Sequence, residues 1–383
     1  PGGGASKVEA APGDSLVASY SLDNSLEDGT GDADATAVVT GLSNYSQNPG
    51  YEAGFIGDAV RLGDFGLKLN KTDLGKNFTV SMWIKPDGVF AENQVVAFLG
   101  YHNPEKWIAV SGNKSNTSVC KFWRGNGYQT WHTFGTASIN AGGWHQLTLT
   151  GEDTNVYAYL DGVLINSGNT ATEGVGAPLE GANQDIYIGV NNWDSEFAGL
   201  VDEVKVYDSA LSEADVQAVY NEDLVKSDAE KLTLPATASQ DLALPASGNS
   251  GLTTVTWKSG NTDVITDDGD VKRPAQETKV AMTATITLGS ATTTKTIEVT
   301  VPAANPDDDI QIYKDQLTLN AGYVSSDITL PATSGEADVT WETSDADVMT
   351  KYGVINRTDK NQEVTLTATL TLDGTASVTK EFK

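Results

Sequence analysis

In the run LVDEVKVY (200–207), alternation sets Leu200, Asp202, Val204 and Val206 on one face of a strand. Val201, Glu203, Lys205 and Tyr207 fall on the other. The first face is apolar apart from Asp202. A carboxyl group among aliphatic side chains is costly unless it is paired, strongly hydrogen-bonded or bound to metal. The residues alone leave all three open, with Arg61 or backbone N–H groups as the metal-free partners.

A second group of residues suits different chemistry. Sugar sites combine an aromatic platform for the C–H face of the ring with amides, carboxylates or a guanidinium for its hydroxyls. The densest such segment is CKFWRGNGYQTWHTF (120–134), with Trp123, Arg124, Tyr128, Trp131 and His132. Alternation there puts aromatics on both faces, one for a core and one for presentation. The polar loop NNWDSEF (191–197) adds Asn191, Asn192 and Trp193, and His102 stands in another loop. Burial in a core or an ordinary surface role competes for each of these residues. The three histidines, 102, 132 and 145, have no zinc spacing. Neither a Gly-x-Ser-x-Gly elbow nor a phosphate loop is present, so the residues point to binding rather than catalysis.

Short strands must position these groups. FTVSMWIKPDG (78–88), QVVAFLG (94–100), KWIAVSG (106–112), GWHQLTLTG (143–151) and DIYIGV (185–190) read as strands. VYAYLDGVLI (156–165) reads as two strands around Asp161-Gly162, both tolerant of positive φ. After LVDEVKVY the pattern changes to one short helix. Ser212 is a good N-cap, Asp215 completes a capping box, and Leu211 with Val216 forms a hydrophobic staple. Val216, Val219 and Tyr220 then lie back on the sandwich as a lid. About ten short strands within residues 15–223 predict an all-β, two-sheet jelly roll.

A repeat follows. LALPASGNSGLTTVTWKSGNTDVI (242–265) resembles ITLPATSGEADVTWETSDADVM (328–349), with Trp257 and Trp341 84 residues apart. These predict two small β-sandwiches, 224–303 and 304–383, with both tryptophans as core plugs. PGGGASKVEAAPGD (1–14) and PAANPDDD (302–309) read as linkers, the latter semi-extended. The second copy stops at VTKEFK where the first runs on to TKTIEVTVP, so the native chain is expected to continue past Lys383.

The totals narrow the partners. With 52 acidic against 24 basic residues the formal charge is −28, which disfavours nucleic acid and anionic lipid. No apolar run is long enough to span a membrane. The single cysteine, Cys120, precludes an internal disulfide, and nothing in the sequence asks for an oligomer.

The stretch GLVDEVKVYDSALSEADVQAVY (199–220) closely resembles the C-terminal signature of laminin-G-like jelly rolls of the concanavalin A-like lectin/glucanase superfamily. LVASYSLDNSLEDGTGD (16–32), FTVSMWIKPD, GWHQLTLT, VYAYLDGVLI and IYIGV resemble further landmarks of that family in the right order. At those landmarks Trp83 and Trp144 are expected in the core, and His145 is expected to be structural. The tandem repeats resemble atypical bacterial immunoglobulin-like domains. The resemblance implies a structural Ca²⁺ joining the N-terminal acidic loop to the late strand, with Asp23, Asp28 and Asp202 as ligands and Asn24, Gly31 and Asp32 adding oxygens. Glucanases of that superfamily carry Glu-x-Asp-x-x-Glu on one strand, a run absent here, so this chain is expected to be no enzyme. The implied role is a non-catalytic carbohydrate-binding or accessory region of a secreted or cell-wall-attached bacterial glycosidase, monomeric and holding glycan weakly. A surface adhesin or stalk, and a purely structural spacer, are the alternatives.

Overall fold

The computed structural model describes residues 12–31, 33–71, 74–88, 94–102, 105–111, 121–125, 129–133, 139, 142–169, 177–181, 184–320 and 322–383. The chain divides into two compact units, one of Pro1–Leu232, Ser247–Val255 and Ile286–Thr293, the other of the remaining residues.

The described strands of the first unit are, in chain order, β1 (Leu16–Tyr20), β2 (Thr36–Val38), β3 (Gly50–Ala53), β4 (Asp58–Leu62), β5 (Gly66–Leu69), β6 (Asn77–Pro86), β7 (Val95–His102), β8 (Glu105–Ser111), β9 (Lys121–Gly125), β10 (Gln129–Thr133), β11 (His145–Glu152), β12 (Asn155–Leu160), β13 (Val163–Asn169), β14 (Asp185–Ile188) and β15 (Gly199–Tyr207). They make two antiparallel sheets. An eight-stranded sheet runs β13-β12-β11-β6-β15-β4-β3 with β1 also on β15, and a seven-stranded sheet runs β10-β9-β8-β7-β14-β5-β2. This is the expected all-β jelly roll. Alternate residues of both sheets fill one core: Val80, Met82 and Ile84 of β6 and Leu147 and Leu149 of β11 join Ala97 and Leu99 of β7, Ile108 and Val110 of β8, and Ile186 and Ile188 of β14. The hairpin at Asp161-Gly162 forms as expected, with φ of 51° and 78°.

Strand β15 departs from strict alternation. Its pairing with β6 slips between Asp202 and Lys205, and Glu203 has a φ of 46°. That is a β-bulge, an extra residue that reverses the side of everything after it. Val201, Val204 and Val206 therefore face the core, with two residues between the first pair. The expected face of Leu200, Asp202, Val204 and Val206 is not continuous, and Asp202 lies opposite Trp83 on the other side of the sheet.

That other side is covered. Helix α1 (Glu213–Lys231) has 19 residues, well past the short helix expected to end near Tyr220. Its start is as expected, with the Asp215 N–H donating to Ser212 Oγ at 3.2 Å and Leu211 packed with Val216 and Val219. Beyond Tyr220 the helix continues over the sheet. Phe55, Trp83 and Tyr220 stack, with centroids 3.6 Å apart for Phe55–Trp83 and 5.6 Å for Trp83–Tyr220. Leu224 closes the same cluster. Beneath it the buried Asp223 accepts from Trp83 Nε1 at 3.0 Å, from Gln146 Nε2 at 3.1 Å and from Lys205 Nζ. Trp83 is thus buried as expected, but under the helix instead of inside the sandwich. Trp144 is only half-buried at the edge of that cluster. His145 Nδ1 lies 2.8 Å from Asp161 Oδ2, an arrangement that ties β11 to the hairpin turn.

The repeats keep their correspondence. Strands β16 (Thr254–Ser259), β17 (Thr278–Leu288) and β18 (Ala291–Val301) form the sheet of the first. Helix α2 (Pro306–Gln316) precedes β19 (Thr333–Ser334), β20 (Ala337–Thr343), β21 (Leu366–Leu372) and β22 (Ala376–Phe382), the sheet of the second. Trp257 and Trp341 donate equivalent bonds, to the carbonyls of Pro245 and Pro331, each at 2.8 Å. The expected semi-extended linker is half wrong. From Pro306 onward it is helical, with Asn305 as N-cap, proline at the first position and three aspartates in the first turn.

Replacing Trp83 by alanine removes the middle ring of the stack and one donor to Asp223. Denaturant unfolding of the Trp83→Ala variant is expected to show a loss of about 3–5 kcal/mol. A loss below about 1 kcal/mol would show that α1 is held elsewhere.

Candidate functional site

The seven-stranded sheet has an aromatic outer face. Phe98, Trp107, Ala109, Tyr187 and Val190 form a cluster separate from the main core, with Val38 and Val95. Phe98, Trp107, Ala109 and Tyr187 come from β7, β8 and β14 at positions alternate to the core residues, which places them on the face turned away from the eight-stranded sheet. The rings of Phe98 and Trp107 are 5.2 Å apart, and those of Phe98 and Tyr187 6.2 Å. Tyr187 Oη donates to Asp185 Oδ2 at 3.2 Å, and Lys68 Nζ approaches the same oxygen at 3.4 Å. Burial, then the Asp185 charge, raises the Tyr187 phenol well above its usual range, so it stays a hydroxyl.

Trp193 stands over this cluster, its ring 6.1 Å from Phe98 and 6.0 Å from Trp107, and is still 47% exposed. Its loop is braced. Asn191 is buried, with Oδ1 accepting from the N–H groups of Trp193 (2.9 Å) and Asp194 (2.8 Å) and Nδ2 donating to Asp194 Oδ2 (2.7 Å). The Thr40 N–H donates to Glu196 Oε1 at 2.8 Å and Thr40 Oγ1 to the Asp194 carbonyl at 2.6 Å. Asn191 therefore shapes the loop, while Trp193 is the ring it presents. Asn192 beside it is half-buried.

Cross-strand register runs Lys68–Tyr187–Phe98–Ala109–Trp123–Trp131 from β5 to β10. The backbone thus puts Trp123 and Trp131 in the same register row as the aromatic cluster. Arg124 pairs with Ile108 and Thr130, and His132 with Phe122. His102 is the last residue of β7 and not a loop residue, and the side chains of Trp123, Arg124, Trp131, His132 and His102 lie outside the described ones. Tyr128 lies outside the described residues. Sequence reasoning missed Phe98, Trp107 and Tyr187. Their positions in the alternation were the available signal, once the core phase of each strand was known.

The expected calcium positions do not gather as a set. Asp28 Oδ1 accepts from the N–H groups of Ser19 and Thr30 at 2.9 Å each and from Thr30 Oγ1 at 2.8 Å. These backbone and side-chain donors hold the Asp28 carboxyl below its usual range despite burial. Asp23 Oδ1 accepts from the Asp58 N–H at 2.8 Å, and Asp202 Oδ2 from Phe55 and Ile56 at 2.8 and 3.0 Å. Asn24 has a φ of 54° and donates its own N–H to the Leu22 carbonyl; the Gly31 N–H donates to the Asp28 carbonyl. Asp32 lies outside the described residues. No cluster of three or more metal-ligating side chains occurs among the described residues. Arg61, the alternative partner of Asp202, instead pairs with Glu52 and Asp87. Asp23 and Asp202 thus accept from one short segment, residues 55–58, whereas Asp28 accepts from Ser19 and Thr30, so the three expected carboxyl groups are engaged by backbone donors at two places.

Comparison with known proteins agrees with the fold. Residues 57–217 match the concanavalin A-like lectin/glucanases superfamily, and residues 221–304 and 310–383 each match the atrophied bacterial Ig domain. The chain is a concanavalin A-like domain followed by two atrophied bacterial Ig domains. No curated protein matches it. Among solved structures it is similar to domain 4 of a GH43 extracellular arabinanase from Geobacillus stearothermophilus in complex with arabinotriose, at 29% identity and a TM-score of 0.47, over 54% of this chain and 98% of that one. It is also similar to the receptor-binding domain of botulinum neurotoxin D (15% identity, TM-score 0.39, 72% of this chain and 76% of that one). Trypanosoma rangeli sialidase is a third (18%, 0.40, 55% of this chain and 33% of that one).

In the concanavalin A-like domain two acids on the bulge, the buried Asp202 and the half-buried Glu203, have unusual titration. Burial pushes Asp202 up to about 8, with the Glu203 charge adding to it and three backbone donors opposing it. Burial pushes Glu203 up to about 7, with Asp223 and Asp23 adding and Lys205 and Lys226 opposing. A raised value means that the folded state holds these protons more tightly than the unfolded chain. Their contribution is therefore greatest below the ordinary carboxyl range and is lost as pH climbs through about 7 to 8. The melting temperature is expected to fall between about pH 6 and pH 9, and the Glu203→Gln variant to show a shallower fall. Identical slopes would mean that Glu203 titrates normally.

Proposed function

We propose that the exposed ring of Trp193, standing over the buried aromatic layer of the seven-stranded sheet, binds glycan, and that the chain is a non-catalytic accessory region of a secreted or cell-surface glycoside hydrolase. The observation that carries this reading is Trp193. A large aromatic ring is left 47% exposed on a loop braced by the Asn191 side chain and by Thr40, above a layer of further aromatic rings. An exposed tryptophan that merely filled space would not need such bracing. One held rigidly is preorganised to stack on the C–H face of a sugar, since less conformational entropy is lost on binding. The superfamily named by its lectins and glucanases favours the same ligand class.

Hydrolysis is not part of the proposal, because the sequence lacks the paired-acid strand motif of the glucanases. A single weak site acts by tethering. It raises the effective concentration of an attached enzyme at a polymeric substrate without adding a contact to the chemistry.

The test is a glycan array with the wild type and Trp193→Ala, followed by calorimetry on any polysaccharide retained and a reducing-sugar assay on the same material. Expected are retention of at least one glycan class, affinity weakened about tenfold or more by the substitution, and no release of reducing ends. An empty array would favour a purely structural spacer. Retention unchanged in Trp193→Ala would place the site elsewhere.

A further inference from the structure

The loop between β3 and β4 points four consecutive backbone N–H groups outward, and each meets a carboxyl oxygen from another part of the chain. Phe55 and Ile56 donate to Asp202 Oδ2 on β15 at 2.8 and 3.0 Å. Gly57 donates to both oxygens of Glu230 in the last turns of α1, at 3.0 and 2.8 Å. Asp58 donates to Asp23 Oδ1, in the loop after β1, at 2.8 Å. The remaining oxygen of Asp202 accepts from the Glu203 N–H at 2.8 Å.

From this we infer that a metal-free clasp joins the loop after β1, the β3–β4 loop, β15 and α1, and that backbone amides take the place expected of a calcium ion. The argument is electrostatic. Ca²⁺ takes six to eight oxygens, often including backbone carbonyls. Here four successive N–H groups are turned to the carboxyl groups, and such N–H groups create a concavity that attracts anions and repels cations. The lone pairs of Asp202 Oδ2 are both engaged by amides, so a cation there would have to displace two hydrogen bonds.

The sequence is built for this approach. A Cβ at position 54 would lie 2.6 Å from Asp202 Oδ2, and one at position 57 would lie 2.1 Å from Asp23 Oδ1. Gly57 also has a φ of 59°. Glycine at both positions lets carboxyl groups reach the backbone directly. The helix secures the same loop from its other side, with Ser227 Oγ and Lys231 Nζ donating to the Phe55 carbonyl at 2.6 and 3.0 Å.

The experiment compares the full chain, wild type, Asp23→Ala and Asp23→Asn, by thermal unfolding and amide hydrogen exchange, with chelator and with millimolar calcium. Asp23 is exposed, so its variants are expected to fold. Under the clasp, chelator and calcium leave the wild-type melting temperature unchanged. Asp23→Ala speeds exchange at the Asp58 amide about tenfold or more while Phe55 and Ile56 stay protected, and Asp23→Asn recovers much of that protection because its amide oxygen still accepts. A rise in melting temperature with calcium that both Asp23 variants abolish would overturn the inference and restore an ion to this site. So would Asp58 exchange that neither variant alters.

Discussion

A carboxyl group buried in the middle of a helix must find donors, and Asp223 finds three on one face of one sheet. Trp83, Gln146 and Lys205 come from β6, β11 and β15, and together they engage both oxygens of a group that would otherwise be costly to bury. Their convergence fixes the rotation of α1 about its axis and its position along the sheet. Tyr220 and Leu224 are then brought over Trp83 and Phe55, so the apolar stack forms where the polar network requires it. Losing either part leaves the other in water, which couples helix and sheet.

The bulge in β15 makes this arrangement possible. If alternation had continued through Glu203, either Asp202 would face the aliphatic core or Val204 and Val206 would face α1. The extra residue, at a positive φ, lets both ends of the strand keep their apolar side inward. Asp202 and Lys205 then both point to the covered outer face, where backbone donors and Asp223 await them. The local strain of a left-handed glutamate is the cost of reversing phase within a central strand.

The two sheets have opposite outer faces. The eight-stranded sheet is sealed by a helix through polar and aromatic contacts. The seven-stranded sheet carries an aromatic layer of its own beneath a braced tryptophan. Both layers are buried, and what the second leaves in solvent is the ring of Trp193 above it.

Much of this was legible in residues. The cap at Ser212, the turn at Asp161-Gly162, the 84-residue repeat and the two-sheet jelly roll all depend on local chemistry or on periodicity, which a sequence displays directly. The end of α1 was less legible, because residues 221–231 are strongly polar and become helical only through partners on β6, β11 and the β3–β4 loop. The helical start at Pro306 had its own signal, an Asn-Pro cap followed by acids, but a run of aspartates reads equally as solvated chain. What only the tertiary structure decided is the side on which Asp202 falls and the partners that it meets there. A one-residue slip in pairing reverses every later side chain, and no pattern within eight residues reveals whether such a slip occurs. The donors that answer Asp202 lie about 147 positions away in the chain, on amides whose direction depends on how the strands have already paired.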